Sequence, residues 1–270
     1  MAEPTRRRGR PRKELPDAPG TVQALDRALD LLDLLAARPG LTLSQVAEEA
    51  GQPASTVHRV LHTLAARGMA ESDPATQAWT IGPQAFRLGT AFMRRSGIVE
   101  RARPILRTLM EHTGETANLG ILQGDAVLFL SQVETTETIR AFFPPGTRSA
   151  LHASGIGKAL LAFGRPETLR TLLARGPLAR FTDTTLTDPQ ALEADLARIR
   201  HRGFSFDDEE RTRGMRCIAA PVFDLSGEAI AGLSVSGPTN RIASEHVKTL
   251  GAVVAAAAAS LSDAMGGPTP

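Results

Sequence analysis

Three short helical patterns and a hairpin pattern follow one another in residues 22–82, and this order constrains the fold more than any other feature. The first helix carries an apolar stripe at helical spacing, made of Val22, Leu25, Leu29 and Leu32 and widened by Ala28, Leu31 and Leu35. Thr42 and Gln45 have capping-box spacing, which predicts a short second helix that ends at Gly51. A third helix is predicted from about Pro53 to Gly68, followed by a β-hairpin in 69–82. This layout is typical of a winged helix-turn-helix.

The third helix is the predicted DNA reader, because the second helix of such a pair enters the major groove. Its apolar side takes Val57, Val60, Leu61 and Leu64, which leaves an outward face of Ser55, Thr56, His58, Arg59, His62 and Thr63. Arg59 is the preferred base reader, since a guanidinium matches the O6 and N7 atoms of guanine. The alternative is an ordinary solvated helix face. The capped short helix, the Gly-x-Pro turn and the lack of acidic residues on this face favour DNA.

The remaining chain divides by composition. Residues 1–20 predict a disordered basic arm, because six of the 31 Lys and Arg residues fall in the first 13 positions. Such an arm either enters a narrow minor groove or binds phosphates without selectivity. The predicted DNA-binding domain covers 21–82, and a linker helix covers 83–97, where Phe86 and Phe92 are candidate dimer contacts. Residues 98–270 predict a ligand-binding domain.

That domain is predicted to be α+β, with a mainly antiparallel sheet, because its strands come as hairpins around Gly124-Asp125 and 226–228. Strands are expected at 116–122, 126–133, 138–143, 217–225 and 229–237. Helices are expected at 98–112, 155–164, 166–175, 188–202 and 242–264.

Composition and cysteine usage indicate a cytoplasmic protein. Apolar residues make up 42% and charged residues 22%, as in globular domains. The single cysteine, Cys217, excludes an intramolecular disulfide framework and suggests a reducing compartment. No secretory signal is visible, and the apolar run at 251–261 is too short to span a bilayer. No membrane partner is expected.

The enzyme motifs that the sequence invites do not fit. The segment HASGIGKAL (152–160) lacks Walker A residues, with His152 in place of Gly and Ala159 in place of Ser or Thr. Ser154 and Lys158 are four residues apart rather than three, and no Gly-x-Ser-x-Gly or His-Glu-x-x-His motif occurs. Cys217 leaves three options open: a nucleophile, a metal ligand with Asp207 and His152, or a pocket wall. A small buried residue is the commonest role for such a cysteine, so we expect no enzyme, no metal and no cofactor.

The order of these parts resembles the IclR family of bacterial transcription regulators, from about Val22 to Met265. VQALDRALDLLDLL and LTLSQVAEEAGQPASTVHRVLHTL are similar to its DNA-binding half. LHASGIGKALLA, GFSFDDEERTRGMRCIAAPVFD and AGLSVSGPTNRI are similar to signature segments of its effector domain. WTIGPQAFRLGTAF and FDDEE look closest to the branch that senses glyoxylate or pyruvate. The resemblance implies a GAF/PAS-like effector domain.

The resemblance also implies an effector pocket. Gly155 and Ile156 would offer backbone N–H groups at a helix start, and Asp207 and Cys217 would line the floor. Met215 would present an apolar face, and Ser234 and Ser236 would supply hydroxyls. Ile156 stands where the glyoxylate branch often has Ala, so its larger side chain is expected to shrink or reshape the cavity.

A helix N-terminus and a cup of hydroxyls suit a small carboxylic acid. Asp207 fits such an anion only if it accepts a hydrogen bond or is protonated by burial. We therefore expect a small 2-oxo acid that weakens binding to a DNA operator, with glyoxylate first and pyruvate second. The alternatives are a sensor of an aromatic acid and a small-acid enzyme with a helix-turn-helix used for protein contacts. One recognition helix reads few base pairs, so a homodimer or homotetramer is expected.

Overall fold

The computed structural model describes residues 22–268, apart from the side chains of residues 92–96. The predicted arm at 1–20 lies outside these residues, and so does the side chain of Phe92. The chain forms two compact units that divide between Arg95 and Ser96.

The first unit has the predicted three helices and hairpin. Its elements are α1 (Gln23–Ala37), β1 (Leu41–Thr42), α2 (Leu43–Glu49), α3 (Ala54–Ala66), β2 (Ala70–Ser72), β3 (Ala78–Ile81) and α4 (Pro83–Ser96), which runs across the division. The capping box is confirmed, because the Thr42 N–H donates to Gln45 Oε1 at 2.9 Å. The short strand β1, which was not predicted, pairs with β3 and widens the hairpin to a three-stranded sheet.

The sequence predicted only part of the buried face of α1 correctly. Leu31 and Leu35 are fully buried in the core of this unit, together with Val57 and Leu61 of α3. Leu25 and Leu29 are instead 57% and 50% exposed. The reason is that α1 is apolar over more than one face, and only the face of Leu31 and Leu35 meets α2, α3 and Trp79.

The second unit is built on one antiparallel sheet, as predicted. Its elements are α5 (Ile98–Thr113), β4 (Thr116–Gln123), β5 (Ala126–Val133), β6 (Arg148–Ala150), α6 (Gly155–Phe163), α7 (Pro166–Ala174), α8 (Pro189–Arg202), β7 (Ser205–Asp208), β8 (Met215–Phe223), β9 (Ala229–Pro238) and α9 (Val247–Ala264). The strand order is β6-β5-β4-β9-β8-β7.

The predicted strand at 138–143 is wrong, and β6 and β7 were not predicted. Residues 134–147 form an irregular loop, and the following segment takes the outer edge of β5. The Phe129 N–H donates to the Thr147 carbonyl at 2.9 Å, and the Gly146 N–H donates to the Phe129 carbonyl at 2.8 Å. Pro144 and Pro145 directly follow 138–143, and no strand continues through them because proline lacks the N–H that a ladder needs.

The sheet packs helices on both faces. One face meets α5 and α9 through an apolar core that includes Leu106, Ile218, Val235 and Val254. The other face meets α6 and α8 around Val127, Ile156, Leu160 and Leu196. The C-terminal helical segment, Ser244–Ala264, is longer than the apolar run and has a mean hydropathy of 1.3, enough by length and composition to cross a membrane. Its Val254, Ala258 and Leu261 are buried against the sheet, and 28% of its most apolar 18-residue window is buried.

Candidate effector pocket and DNA-reading face

A cavity of about 230 Å³ opens beside the sheet, at the end of β7 and the start of β8. Its floor is a row of side chains on adjacent strands: Asp207 of β7 pairs with Cys217 of β8, and Cys217 pairs with Ser236 of β9. Residues directly opposite in an antiparallel sheet point to the same face, so the three side chains lie side by side. We call this cavity the candidate pocket. Of the predicted ligand residues, Asp207, Met215, Cys217 and Ser236 line it.

A second polar row lies next to the floor and was largely missed by the sequence. Ser234 of β9 pairs with Asn118 of β4, and Asn118 pairs with Gln132 of β5. The Asn118 amide donates to the hydroxyls of Ser234 and Ser236, each at 3.4 Å, and accepts from Gln132 at 3.1 Å. Ser234 and Asn118 are fully buried. Ser234 therefore lies beside the floor rather than in it, and the polar Asn118 in the apolar strand TANLGIL is the sequence signal that could have revealed this row.

The start of α6 is held against Cys217. A Cβ added to Gly155 would lie 2.7 Å from Cys217 Sγ, so only glycine permits this approach. The Ser205 hydroxyl donates to the Gly155 carbonyl at 2.7 Å and ties the helix to β7. The Ser154 hydroxyl caps α6 by accepting from the Gly157 N–H. The N–H groups of Gly155 and Ile156 belong to the first helical turn, which has no intrahelical acceptor for them.

The expectation that Ile156 shrinks the cavity is wrong. Its side chain is fully buried and points to the sheet over two glycines, Gly120 and Gly232. A Cβ on Gly232 would lie 2.8 Å from Ile156 Cγ2, so the larger residue fills space that these glycines leave free. The Ile156 side chain therefore belongs to the core, and only its backbone N–H contributes to the start of α6.

The mouth of the candidate pocket is cationic and aromatic. Its lining residues beyond the floor come from the loop at 140–143 and from 211–216. Arg216 is engaged already, because it donates to Asp208 at 2.7 Å and to the Ile242 carbonyl at 2.8 Å. Arg140 donates to Glu134 at 2.7 Å, and the Arg211 guanidinium lies 4.0 Å from the centre of the Phe181 ring. The sequence did not identify Arg140, Phe142, Phe143, Arg211 or Thr212 as pocket residues, because they enter it from irregular loops.

The floor is electrostatically unusual. Burial and the charge of Glu210 raise the pKa of Asp207 to about 7, against the effect of Lys158 and of the N–H groups of Glu210 and Arg211. Burial and the charge of Asp207 raise the pKa of Cys217 to about 11. Cys217 is thus a neutral thiol at pH 7, whereas a nucleophilic cysteine needs a thiolate. Asp207 is near its titration point, so its carboxyl group can either donate or accept a hydrogen bond.

The other acids of the FDDEE run anchor the loop around the floor. Asp208 pairs with Arg216, and Glu209 accepts the Gly214 N–H at 2.7 Å. Glu210 pairs with buried Lys158, which also pairs with Asp195 of α8 at 2.8 Å. Burial lowers the pKa of Lys158, but the charges of Glu210 and Asp195 outweigh it and raise that pKa overall, so Lys158 is charged.

The metal alternative has no geometric support within residues 22–268. No group of three His, Cys, Asp or Glu side chains among them is arranged to hold an ion. His152, the third candidate ligand, is bound to the Ala179 carbonyl at 2.8 Å and stacks on Phe181.

The outward face of α3 carries the predicted DNA-binding residues. Ser55, His58, Arg59, His62 and Thr63 are exposed, and Thr56 is half-buried. The His58 and His62 rings are 4.2 Å apart, and His62 meets Trp79 of the hairpin edge-on at 5.9 Å. The Thr63 hydroxyl donates to the Arg59 carbonyl at 2.8 Å, so it is occupied within the helix. The helix contains no acidic residue.

A winged helix-turn-helix joined to an α+β domain with a polar pocket defines a class: a DNA-binding regulator with a separate ligand-binding domain. Two family models match the chain, the IclR helix-turn-helix domain over residues 24–74 and the bacterial transcriptional regulator IclR C-terminal domain over 90–263. The chain belongs to the IclR family of transcriptional regulators. Its relatives are regulators, so the protein is not an enzyme.

Similar proteins span nearly the whole chain. The HTH-type transcriptional regulator BhcR of Paracoccus denitrificans is 64% identical over 269 residues, which are 98% of this chain and 96% of BhcR. The transcriptional repressor IclR of Escherichia coli is 40% identical, over 98% of this chain and 97% of that protein. An IclR homologue crystallised with 4-hydroxybenzoate, from Microbacterium hydrocarbonoxydans, has a TM-score of 0.79 at 26% identity and covers 90% of this chain and 98% of its own.

Proposed function

We propose that this regulator binds its operator in the absence of effector and releases it when a small 2-oxo acid enters the candidate pocket. Glyoxylate is the first choice of effector, and pyruvate is the second. The observation that carries the proposal is the floor row of Asp207, Cys217 and Ser236 beside the start of α6. A repressor among the relatives favours loss of operator binding as the response.

The groups around the floor match the parts of such a ligand. The carboxylate takes the N–H groups and the positive dipole end of α6, because a helix N-terminus favours an anion. The oxo group, or its hydrate, takes the hydroxyl of Ser236 and the carboxyl of Asp207. With a pKa of about 7, Asp207 can be protonated and donate to the ligand oxygen rather than repel it.

An aromatic acid is the second candidate, because 4-hydroxybenzoate is bound to one IclR homologue of similar fold. Ile156 does not oppose it, since its side chain faces the core. What favours the small acid is the floor, where carboxyl, thiol and hydroxyl groups lie side by side with no apolar residue between them. A benzene ring placed there would leave these polar groups without partners, at about 1–3 kcal/mol each.

A ligand changes operator binding only by favouring one arrangement of the protein over another. The test is a gel shift on the DNA upstream of the protein's own gene, titrated with glyoxylate, pyruvate and 4-hydroxybenzoate. Isothermal calorimetry with the same acids measures direct binding, on the wild type and on Asp207→Ala. We expect glyoxylate to release the DNA and Asp207→Ala to lose the heat of binding. Release by 4-hydroxybenzoate alone would replace the small acid with the aromatic one.

Operator reading is proposed for the outward face of α3. Arg59 is the base reader, and Ser55, Thr56, His58, His62 and Thr63 contact bases or phosphates around it. The bacterial chromosome lies in the cytoplasm, so we propose that the protein is cytoplasmic. A homodimer or homotetramer is proposed as the active form, and the basic residues of 1–20 add phosphate contacts.

A further inference from the structure

A buried ion cluster lies behind the candidate pocket, and the proposed function does not use it. The Lys158 side chain is 1% exposed, and its ammonium donates to Asp195 at 2.8 Å and to the carboxylate of Glu210. Its third hydrogen bond goes to the Phe206 carbonyl at 2.7 Å. Lys158 does not line the pocket itself.

Stability alone does not account for this lysine. Every residue of α6 from Gly155 to Ala162 is buried, and most are apolar, so a methionine would suit this buried helix as well. Buried ion pairs often contribute less than well-packed apolar residues of the same volume, because both charges lose their water. The cluster also holds two carboxylates against one ammonium, and Glu210 Oε2 has no hydrogen-bond partner among the described residues.

The cluster does bind residues 206–210, the segment that carries Asp207, at two points. Lys158 binds the residue before Asp207, through the Phe206 carbonyl, and also Glu210, which lies three residues after it. The Glu210 N–H in turn donates to Asp207 Oδ1 at 2.7 Å. Glu209 between them has a left-handed φ of 60°, which is unfavourable for a residue with a side chain.

The same turn is tied down from its other side. The Thr182 hydroxyl donates to the Glu209 carbonyl, and the Thr185 hydroxyl donates to the Glu210 carbonyl, each at 2.7 Å. The next residue, Arg211, lines the pocket mouth. The position of Asp207 and Arg211 therefore depends on contacts made outside the pocket, and Lys158 supplies the charged ones.

We propose that Lys158 is a positioning residue for the pocket: its ammonium clamps residues 206–210 on both sides of Asp207, so effector affinity depends on a lysine that the effector does not touch. The effector part of this statement rests on the function proposed above. The clamp itself does not, because it is present without a ligand.

Three variants of the full chain separate the clamp from general stability. Lys158→Met removes it but leaves buried Glu210 without a cation and buried Asp195 with only the solvent-exposed Arg198. Lys158→Met/Asp195→Asn/Glu210→Gln removes the stranded charges as well, and its melting temperature shows whether folding is preserved. Arg198→Met is the matched control, because Arg198 pairs with the same Asp195 at 3.1 Å but from solvent, with a side chain 62% exposed.

Amide hydrogen exchange by mass spectrometry, without any ligand, tests the clamp. In Lys158→Met and in the triple variant, we expect peptides covering 206–217 to exchange at least about tenfold faster than in the wild type. This is the size expected when one or two hydrogen bonds are lost. Arg198→Met should exchange at the wild-type rate there. Wild-type exchange in either lysine variant would overturn the proposal.

Calorimetry with glyoxylate tests the consequence for the effector. We expect both lysine variants to bind glyoxylate at least about tenfold more weakly than the wild type. Their operator affinity in the absence of effector should be unchanged, because the DNA-binding unit has its own core. Equal glyoxylate affinity in wild type and both variants would also overturn the proposal. If the wild type itself gives no heat with glyoxylate or pyruvate, the proposed function fails, and the exchange experiment still decides the role of Lys158.

Discussion

At the scale of single residues, the chemistry of the candidate pocket's floor depends on the burial of Asp207 beside two other titratable side chains. Asp207 is 6% exposed, lies beside the thiol of Cys217, and shares its surroundings with a second carboxylate, Glu210. In such a place the neutral carboxyl is favoured over the charged one. Protonation of Asp207 therefore affects both the free energy of unfolding and the charge that a ligand meets at the floor.

The raised pKa of Asp207 predicts a pH dependence of stability. Its pKa rises from 3.8 to about 7 on folding, so its contribution is full below pH 3.8 and is lost as the pH rises through 7. The loss amounts to about 4 kcal/mol for a shift of this size. Asp207→Asn cannot ionise, so its free energy of unfolding should fall less than that of the wild type between pH 4 and 7.

Urea unfolding at a series of pH values measures this difference, and groups that titrate in both proteins cancel in it. Asp183→Asn, at an exposed residue of a loop, is the control and should follow the wild type. Parallel curves for Asp207→Asn and the wild type would show that Asp207 is ionised normally in the folded protein.

The contact between Gly155 and Cys217 predicts a clash and its relief. Gly155→Ala places a methyl group 2.7 Å from Cys217 Sγ and should destabilise the protein by about 1–3 kcal/mol, as overpacking does. Gly155→Ala/Cys217→Ala, which lacks the sulfur, should recover part of that loss. Thermal unfolding is the measurement. Gly89→Ala in α4 is the control, since nothing lies within 4 Å of its added methyl group, and no recovery in the double variant would contradict the packing account.

At the scale of elements, the candidate pocket lies where one helix end meets the ends of neighbouring strands. The start of α6 and the ends of β7 and β8 meet at the candidate pocket. In the first unit, α3 presents its polar residues outward because Val57 and Leu61 hold the opposite side in the core. The apolar period of each element thereby decides which side chains remain available to a ligand or to DNA.

The outward face of α3 predicts two different mutational effects on DNA binding. Arg59→Ala/Thr56→Ala should abolish the preference for operator over random DNA, because a base contact carries sequence information. Arg67→Ala, just after the helix, should weaken binding to both DNAs alike, since a phosphate contact does not discriminate. Competitive gel shifts at one fixed salt concentration compare them. Unchanged operator selectivity in the double variant would refute the assignment of α3 as the reader.

At the scale of the whole molecule, the exposed apolar residues lead us to expect association between copies of the chain. Val22, Leu25 and Leu29 form an apolar face on α1, and Phe86 and Leu88 are exposed on α4. A single chain gains nothing from these faces in water, whereas a second copy would bury them. Two recognition helices would then read a repeated operator, which matches the need for more base contacts than one helix supplies.

Charges placed on the face of α1 should separate the copies. We expect Leu25→Glu/Leu29→Glu to reduce the mass measured by light scattering after size exclusion and to weaken operator binding. Leu225→Glu, at an equally apolar residue that is 82% exposed in a turn of the second unit, is the matched control and should change neither. An unaltered mass in the double variant would place the interface elsewhere.

Much of this protein follows from local sequence. The order of helices in the first unit, the capping box at Thr42 and the antiparallel pairing of the second unit depend on periodicity and turn residues, which act over a few positions. The family signature segments located Asp207, Met215, Cys217 and Ser236 in one region. These residues line one cavity because β7, β8 and β9 are neighbours in the sheet.

Only the tertiary structure decided the rest, because those features depend on contacts between residues far apart in the chain. The segment at 138–143 looked like a strand, but the edge of β5 was taken by the residues after it. Ile156 looked like a pocket wall, but Gly120 and Gly232 on distant strands leave it a place in the core. Lys158 looked like a failed catalytic motif, and its partners Asp195 and Glu210 lie 37 and 52 residues further on. A sequence pattern records what each residue prefers locally, while burial and ion pairing are set by what the fold brings to it.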